Sequence, residues 1–411
     1  MFNTKEIGIY IHIPFCKSKC YYCDFNSYTK KDYLIPEYCK ALINEIQLYS
    51  SRLKKLCGKR IKTNSSNTLN GVNVLELEDI VCGNTEIKVK SIYIGGGTPS
   101  LLPLSYICRI IDECMKCYNI LEDAEITIEA NPGTVTREKL KAYKKAGINR
   151  LSIGLQAWQN RLLKDMGRIH TAEEFVDNLC MAREVGFANI SADLIFGLPG
   201  QKLDEWEETL ERVTCEGIEH LSCYDLKIEE GTVLGNKVKE GQVQPIEDEL
   251  DRDMYHMTIK KLKNKGFKHY EISNFSKPGF ESKHNMIYWK TGEYIGLGAG
   301  AYSYFNSKRY NNVEKPENYV YNISVGKSVV ENIQTINEAD KISEYLILGL
   351  RLIDGISMKE FKDKFDKELL ELYRRNIDIL IRRGLLCFSE ERIKLTSLGL
   401  DLANQVFVEF I

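Results

Sequence analysis

Cys16, Cys20 and Cys23 stand in one short run, Ile11-His-Ile-Pro-Phe-Cys-Lys-Ser-Lys-Cys-Tyr-Tyr-Cys-Asp-Phe25, with C-x3-C-x2-C spacing. Three thiolates held this close suit three irons of a [4Fe–4S] cube and leave the fourth iron without a protein ligand. An iron with an open position is a chemical site. A chelating ligand binds there directly, and an electron reaches it through the cluster.

Other residues suited to chemistry follow. The run Gly95-Gly-Gly-Thr-Pro99 lets the backbone approach a ligand closely and aim N–H groups at it. Glu129, Gln156 and Asp193 stand at the ends of successive apolar runs, and Arg168 follows Gln156 in a loop. Interior strand positions of a parallel sheet are normally apolar. Polar residues there need partners, which ligand contact or a buried hydrogen-bond network supplies.

The elements that must position these residues are legible up to about residue 227. Strand-like, β-branched runs at 8–13, 90–94, 125–129, 150–155, 189–196 and 220–226 alternate with amphipathic helical windows at 35–54, 105–117, 136–146, 172–185 and 203–216. This rhythm predicts right-handed βαβ units and a parallel sheet, with chemistry at the C-terminal ends of the strands. The cysteine run follows the first strand and the glycine run the second. Residues 55–88 break the rhythm with a polar, turn-forming stretch, Lys62 to Gly71, which predicts an insertion in a surface loop.

After about residue 232 the pattern changes. A charged helix at 247–265 precedes irregular aromatic and glycine-rich sequence to about 312. Helices at 337–352, 357–361 and 367–383, a hairpin at 384–395 and a last helix at 397–408 predict a small winged-helix-like unit. The expected organisation is therefore 1–232, a connecting region 233–335, and 336–411.

Composition limits the function classes. With 43% hydrophobic and 28% charged residues, the 411-residue chain reads as an ordinary globular protein. A formal net charge of −2 gives no electrostatic case for nucleic acid. No apolar run approaches the ~20 residues of a membrane span, and the first residues lack signal-peptide features. The 13 cysteines are odd in number and scattered outside 16–23, which points to a reducing, cytoplasmic setting rather than a disulfide framework. Cys114 and Cys117 fall one turn apart on a predicted helix and read as structural.

The cysteine spacing after the first strand, with Gly-Gly-Gly-Thr-Pro after the second, resembles the radical S-adenosylmethionine (SAM) enzymes. Tyr10-Ile-His-Ile-Pro-Phe-Cys16, Ile128-Glu-Ala-Asn-Pro-Gly133, Leu151-Ser-Ile-Gly-Leu-Gln156, Phe196-Gly-Leu-Pro-Gly200 and Tyr270-Glu-Ile-Ser-Asn-Phe275 narrow the resemblance. They are similar to the group of oxygen-independent coproporphyrinogen III oxidases and related haem chaperones. The resemblance implies an α/β fold, a partial (β/α)6 barrel with a smaller C-terminal helical, winged-helix-like domain. It implies a [4Fe–4S] cluster on Cys16, Cys20 and Cys23, and SAM contacts at Tyr10, Gly96, Gly97, Thr98, Glu129, Gln156, Arg168 and Asp193. A flavodoxin or ferredoxin would be the electron donor.

Two features separate the branches of that group. The oxidases carry a fourth cysteine two residues after the third, where this chain has Phe25. The run His284-Asn-Met-Ile-Tyr-Trp289 matches the H-N-x-x-Y-W motif of the chaperone branch. A neutral imidazole suits haem iron, and Tyr288 and Trp289 offer flat apolar surface to a porphyrin. The expectation is a chaperone with His284 as haem ligand, delivering haem to client haemoproteins. The alternatives are a coproporphyrinogen oxidase, which Phe25 argues against, and a winged-helix regulator, which lacks a basic stripe. His12 reads as structural, and Tyr302 stands where relatives often have His.

Overall fold

The computed structural model describes residues 3–56 and 85–411. Of the predicted 55–88 insertion, 55–56 end a helix and 85–88 begin a strand; the rest lies outside the described residues. The first half alternates as its sequence predicts. β1 (Asn3–Ile13) leads to α1 (Ile35–Leu56), β2 (Thr85–Gly96), α2 (Leu104–Cys117), β3 (Ile120–Ala130), α3 (Arg137–Lys145) and β4 (Arg150–Gln156). The short α4 (Asn160–Asp165), α5 (Ala172–Val185), β5 (Ile190–Phe196), α6 (Leu203–Cys215) and β6 (His220–Asp225) complete it.

Local chemistry sets these elements. Ile7, Ile9, Ile11 and Ile13 of β1 are fully buried at period two, and β4 is buried along its whole length. Tyr38, Leu42, Ile46 and Leu53 give α1 a buried stripe at helical spacing. Thr171 caps α5 in a capping box with Glu174, and Gly186 ends that helix at φ 95°.

β1 to β6 are parallel neighbours in chain order. The stretch expected to be irregular contributes more. After α7 (Val233–Lys239) and α8 (Asp248–Asn264) come β7 (Lys268–Glu271), β8 (Asn274–Ser276), α9 (Lys283–Trp289), β9 (Tyr294–Leu297), β10 (Tyr302–Phe305), β11 (Lys308–Asn312), α10 (Pro316–Ser324) and β12 (Val330–Thr335). The sheet reaches twelve strands, in the order β12-β11-β10-β9-β1-β2-β3-β4-β5-β6-β8-β7. β9 lies parallel to β1, whereas β8 runs antiparallel to β6. β7 to β10 have only three or four residues each, too few for a period-two signal, and β12 is exposed along most of its length, which is why the sequence reads as irregular. β7 and β12 do not pair, so the barrel stays open.

The C-terminal part runs α11 (Glu338–Gly349), β13 (Ile356–Ser357), α12 (Met358–Phe365), α13 (Leu369–Arg382), β14 (Leu386–Ser389), β15 (Arg392–Leu395), α14 (Ser397–Asp401) and α15 (Ala403–Phe407). Helix, strand, two helices and a hairpin form a winged-helix arrangement with its own core, including Leu346, Phe361, Leu380 and Val406. The last helix, expected to be continuous, breaks at Leu402.

One buried carboxylate ties the late strands to the first helix. Glu45 of α1, 1% exposed, accepts from the amide of Gly298 at 2.7 Å, Asn312 Nδ2 at 2.7 Å and Tyr319 Oη at 2.6 Å. Burial raises its carboxyl from 4.5 to about 7, against the pull of those donors. A raised carboxyl stabilises the fold below the unfolded value and loses that contribution as pH rises through the folded one. The rise corresponds to about 3 kcal/mol. The melting-temperature advantage of wild type over Glu45→Gln should therefore shrink between pH 5 and pH 8. A constant difference across that range would show that Glu45 does not titrate there.

Candidate functional site

The cysteine loop leaves the C-terminal end of β1 and is fixed on both sides. The Cys16 amide donates to Tyr28 O at 2.9 Å and that of Tyr28 to Pro14 O at 2.7 Å. Lys19 Nζ donates back to Phe25 O at 2.7 Å and Ser27 O at 3.1 Å. Tyr21 N donates to Met166 O at 3.0 Å, which seats the loop on the segment after α4. Gly167, at φ 75°, is needed there because a Cβ would lie 2.8 Å from the Tyr21 ring.

All three thiols are free. Burial pushes Cys16 up, opposed by hydrogen bonds from Thr98 and Ser27, and burial likewise raises Cys23. Iron must displace protons to bind there. Among the described residues no three His, Cys, Asp or Glu side chains converge on a single metal ion. The donor set instead suits a cube, where each thiolate takes its own iron.

A ring of side chains from four strands closes around the thiols. Thr98 Oγ1 donates to Cys16 Sγ at 3.7 Å and accepts from Asn131 Nδ2 at 2.9 Å. Arg168 donates to Asn131 Oδ1 at 2.7 Å, Gly154 O at 3.0 Å and Cys20 Sγ at 3.3 Å. Gln156 ends β4 at φ 66°, left-handed for a non-glycine residue, and its buried Oε1 has no partner. Arg168 Nε is likewise buried without one. These orphaned polar atoms beside the thiols fit a polar ligand there. Cys20, Thr98, Asn131 and Arg168 also line a small opening to solvent.

The glycine run behaves differently from expectation. Gly96 N donates to Glu129 Oε2 at 3.1 Å, Gly97 N to Ile13 O at 2.8 Å and Thr98 N to Phe15 O at 2.9 Å. Its amides are spent on protein, and what the glycines supply is close approach. A Cβ on Gly97 would lie 3.0 Å from Cys16 Sγ, and one on Gly96 2.5 Å from the His12 ring.

Below the ring, Tyr93 Oη donates to Glu129 Oε1 at 2.8 Å, and Ser152 Oγ donates to Asp193 Oδ2 at 2.9 Å. Burial, reinforced by Asp193, raises Glu129 to about 7. Tyr10 bonds the His12 ring at 2.9 Å, and that ring also bonds Asn26 O at 2.8 Å. The SAM candidates thus form one continuous cluster at the strand ends and just beneath them.

His284 sits deeper in the barrel. Its ring stacks on Tyr93 at 5.2 Å, its Nδ1 bonds Ser91 Oγ at 2.8 Å and its Nε2 bonds Tyr288 Oη at 2.8 Å. Burial lowers the imidazole to about 3, helped by the positive charge of Arg150, so it is neutral at ordinary pH. Both ring nitrogens are occupied, and an iron would have to displace one partner. Tyr302 is 54% exposed and Phe25 65% exposed.

Residues that the sequence reading passed over include Asn131, Arg150 and Glu125. Arg150 is 2% exposed, and its Nε lies 3.9 Å from Glu125 Oε2, without a hydrogen-bond partner at that atom. Glu125 accepts from the amides of Lys283 and His284, each at 3.1 Å. The available signal was charge at the start of otherwise apolar strands, and for Asn131 the Asn-Pro-Gly turn itself.

Comparison with known proteins adds to this geometry. The radical SAM superfamily model matches residues 10–213, and the HemN C-terminal domain model matches residues 336–402. The chain is 35% identical to the heme chaperone HemW of Bacillus subtilis over 98% of each protein. It is 34% identical to the Lactococcus lactis protein of the same name over 99% of this chain and 98% of that one. It is 29% identical to the bovine mitochondrial radical S-adenosyl methionine domain-containing protein 1, over 98% of this chain and 89% of that one. Among solved structures, coproporphyrinogen III oxidase (HemN) of Escherichia coli superposes with a TM-score of 0.80 at 22% identity, covering 99% of this chain and 90% of that one. That likeness bears on the fold alone. No helix among the described residues is long and apolar enough to cross a membrane.

Proposed function

The chain belongs to the radical SAM superfamily, in the group of the heme chaperones HemW, and from that premise we propose that it is itself a haem chaperone. Cys16, Cys20 and Cys23 hold a [4Fe–4S] cluster. Tyr10, Gly96, Gly97, Thr98, Glu129, Gln156, Arg168 and Asp193 surround SAM. His284 ligates haem, which passes to client haemoproteins, and a flavodoxin or ferredoxin reduces the cluster. When bound, such a cluster would supply an electron and one iron without a protein ligand, open to SAM.

The observation that carries the reading is the Arg168 guanidinium, which joins Cys20 Sγ to Asn131 beside the unpartnered Gln156 oxygen. The protein's own tasks follow from that geometry. Arg168 offsets negative charge at the thiolates and orients Asn131. Glu129, raised to about 7, exchanges a proton near neutral pH and accepts from Gly96 and Tyr93. Gln156 holds an acceptor ready in a strained backbone position. Phe25 favours the chaperone over the oxidase, because its exposed ring stands where the oxidases carry a fourth cysteine.

Haem titration tests the reading. His284→Ala should bind haem at least about tenfold more weakly than wild type, since the imidazole that would hold the iron is lost. Equal affinity would remove His284 as the ligand. Anaerobic incubation with coproporphyrinogen III, SAM and reductant should yield no protoporphyrinogen, and appreciable product would favour the oxidase.

A further inference from the structure

Helix α9, which carries His284, is held between two bodies. At its N-terminal end Glu125 takes two of its amides, Ile287 is buried and the His284 ring is locked between Ser91 and Tyr288. At its C-terminal end the contacts come from the C-terminal part of the chain. The Arg351 guanidinium lies 4.5 Å from the Trp289 ring centroid, and its Nη2 is 3.7 Å from Glu271 Oε2. Lys364 Nζ of α12 donates to Thr291 Oγ1 at 2.6 Å, just past the helix.

The two ends differ in quality. The barrel end is well bonded. The junction at Arg351 leaves four buried polar atoms without partners: Arg351 Nε, Glu271 Oε2, Asn274 Oδ1 and Trp289 Nε1. Glu271 is fully buried. Glu271 Oε1 accepts from Asn274 Nδ2 and from the Ser273 amide at 3.2 Å, whereas Oε2 has only the Arg351 cation, 3.7 Å away, to set against its desolvation. Water would satisfy all four atoms once the junction parted, which offsets part of the cost of breaking the two backbone bonds that cross it, Ile272 N to Arg351 O at 3.1 Å and Ile353 N to Tyr270 O at 3.2 Å.

We propose that the C-terminal winged-helix part is a latch, in which Arg351 and Lys364 keep α9 seated and haem capture through His284 requires the junction to open. The inference rests on the reading of His284 as haem ligand. Arg351 is a positioning residue, acting on haem only through Trp289 and α9.

The test uses the full chain with its cluster reconstituted, mixed with haem in stopped flow. Arg351→Ala should take up haem about tenfold faster than wild type, because the open population rises by the same factor. Its Soret band should match that of wild type, since the iron ligand is unchanged. Arg351→Lys, which keeps the charge without the stacked fork, should fall between the two. Lys364→Ala, which removes the other contact at that end of α9, should give a smaller gain of the same sign and serves where Arg351→Ala does not fold. In a His284→Ala background the gain should vanish. An uptake rate no faster than wild type in both Arg351→Ala and Lys364→Ala, or a gain that survives His284→Ala, overturns the latch. A normal His284→Ala loss alongside inert junction variants sinks the latch alone. An inert His284→Ala sinks the haem-ligand reading and the latch with it.

Discussion

Cys20→Ala protein should emerge from anaerobic reconstitution with its cluster gone, the iron and sulfide content falling from about four of each per chain to under one. The same result is expected for Cys16→Ala and Cys23→Ala. With two thiolates left, the loop has no way to hold a cube, and in the Cys20→Ala chain burial raises both thiols that remain. Cys180→Ala is the control, because that exposed cysteine lies outside the loop and should leave iron content unchanged. Full iron retention in any of the three loop variants would displace that cysteine as a ligand. The effect is large because the loop holds no fourth cysteine. Phe25 offers only its backbone oxygen, already taken by Lys19.

The second large effect belongs to Arg168. It makes three bonds that tie the cysteine loop, the β3 turn and the end of β4 together. A charged hydrogen bond of this kind contributes about 1.5–3 kcal/mol. Arg168→Ala should weaken SAM binding by about 30-fold or more, corresponding to about 2 kcal/mol. Iron content should remain near that of wild type, which separates loss of the ligand pocket from loss of the cluster. Equilibrium dialysis with labelled SAM reads the difference. Unchanged affinity would mean that Arg168 acts on the loop alone. Arg168→Lys should recover only part of the binding, since an ammonium does not span Cys20 and Asn131 with the planar guanidinium geometry.

The first six strands and their helices were legible because each carries a full period of buried residues, as in β1 and α1. The cysteine loop and the polar strand ends were legible because their types and spacing are unusual. The late strands were not. β8 has three residues and β9 four, too few to alternate visibly. The fate of the Gly96, Gly97 and Thr98 amides was also hidden, since their acceptors are fixed only once β1, β2 and β3 pair. His284 makes the limit plain. Its residue type suggested a ligand, but its occupied nitrogens depend on Ser91, nearly two hundred positions away in sequence, and on the pitch of a short helix.

The sheet order carries a consequence for how the protein is made. The strand that leads into the cysteine loop is flanked on one side by β2 and on the other by β9, which is encoded far downstream. Asn26, just beyond the third cysteine, donates to Ala299 O at 3.2 Å and Glu314 O at 3.1 Å. A ribosome that has produced only the first six parallel strands has therefore produced a cysteine loop with one wall missing. Residues through about 314 must emerge before that wall closes, so the loop reaches its final form only after β9 and β11 have been made. Closing the cysteine loop becomes a late step of biogenesis, governed by non-local strand pairing rather than by the tight spacing of the cysteines themselves.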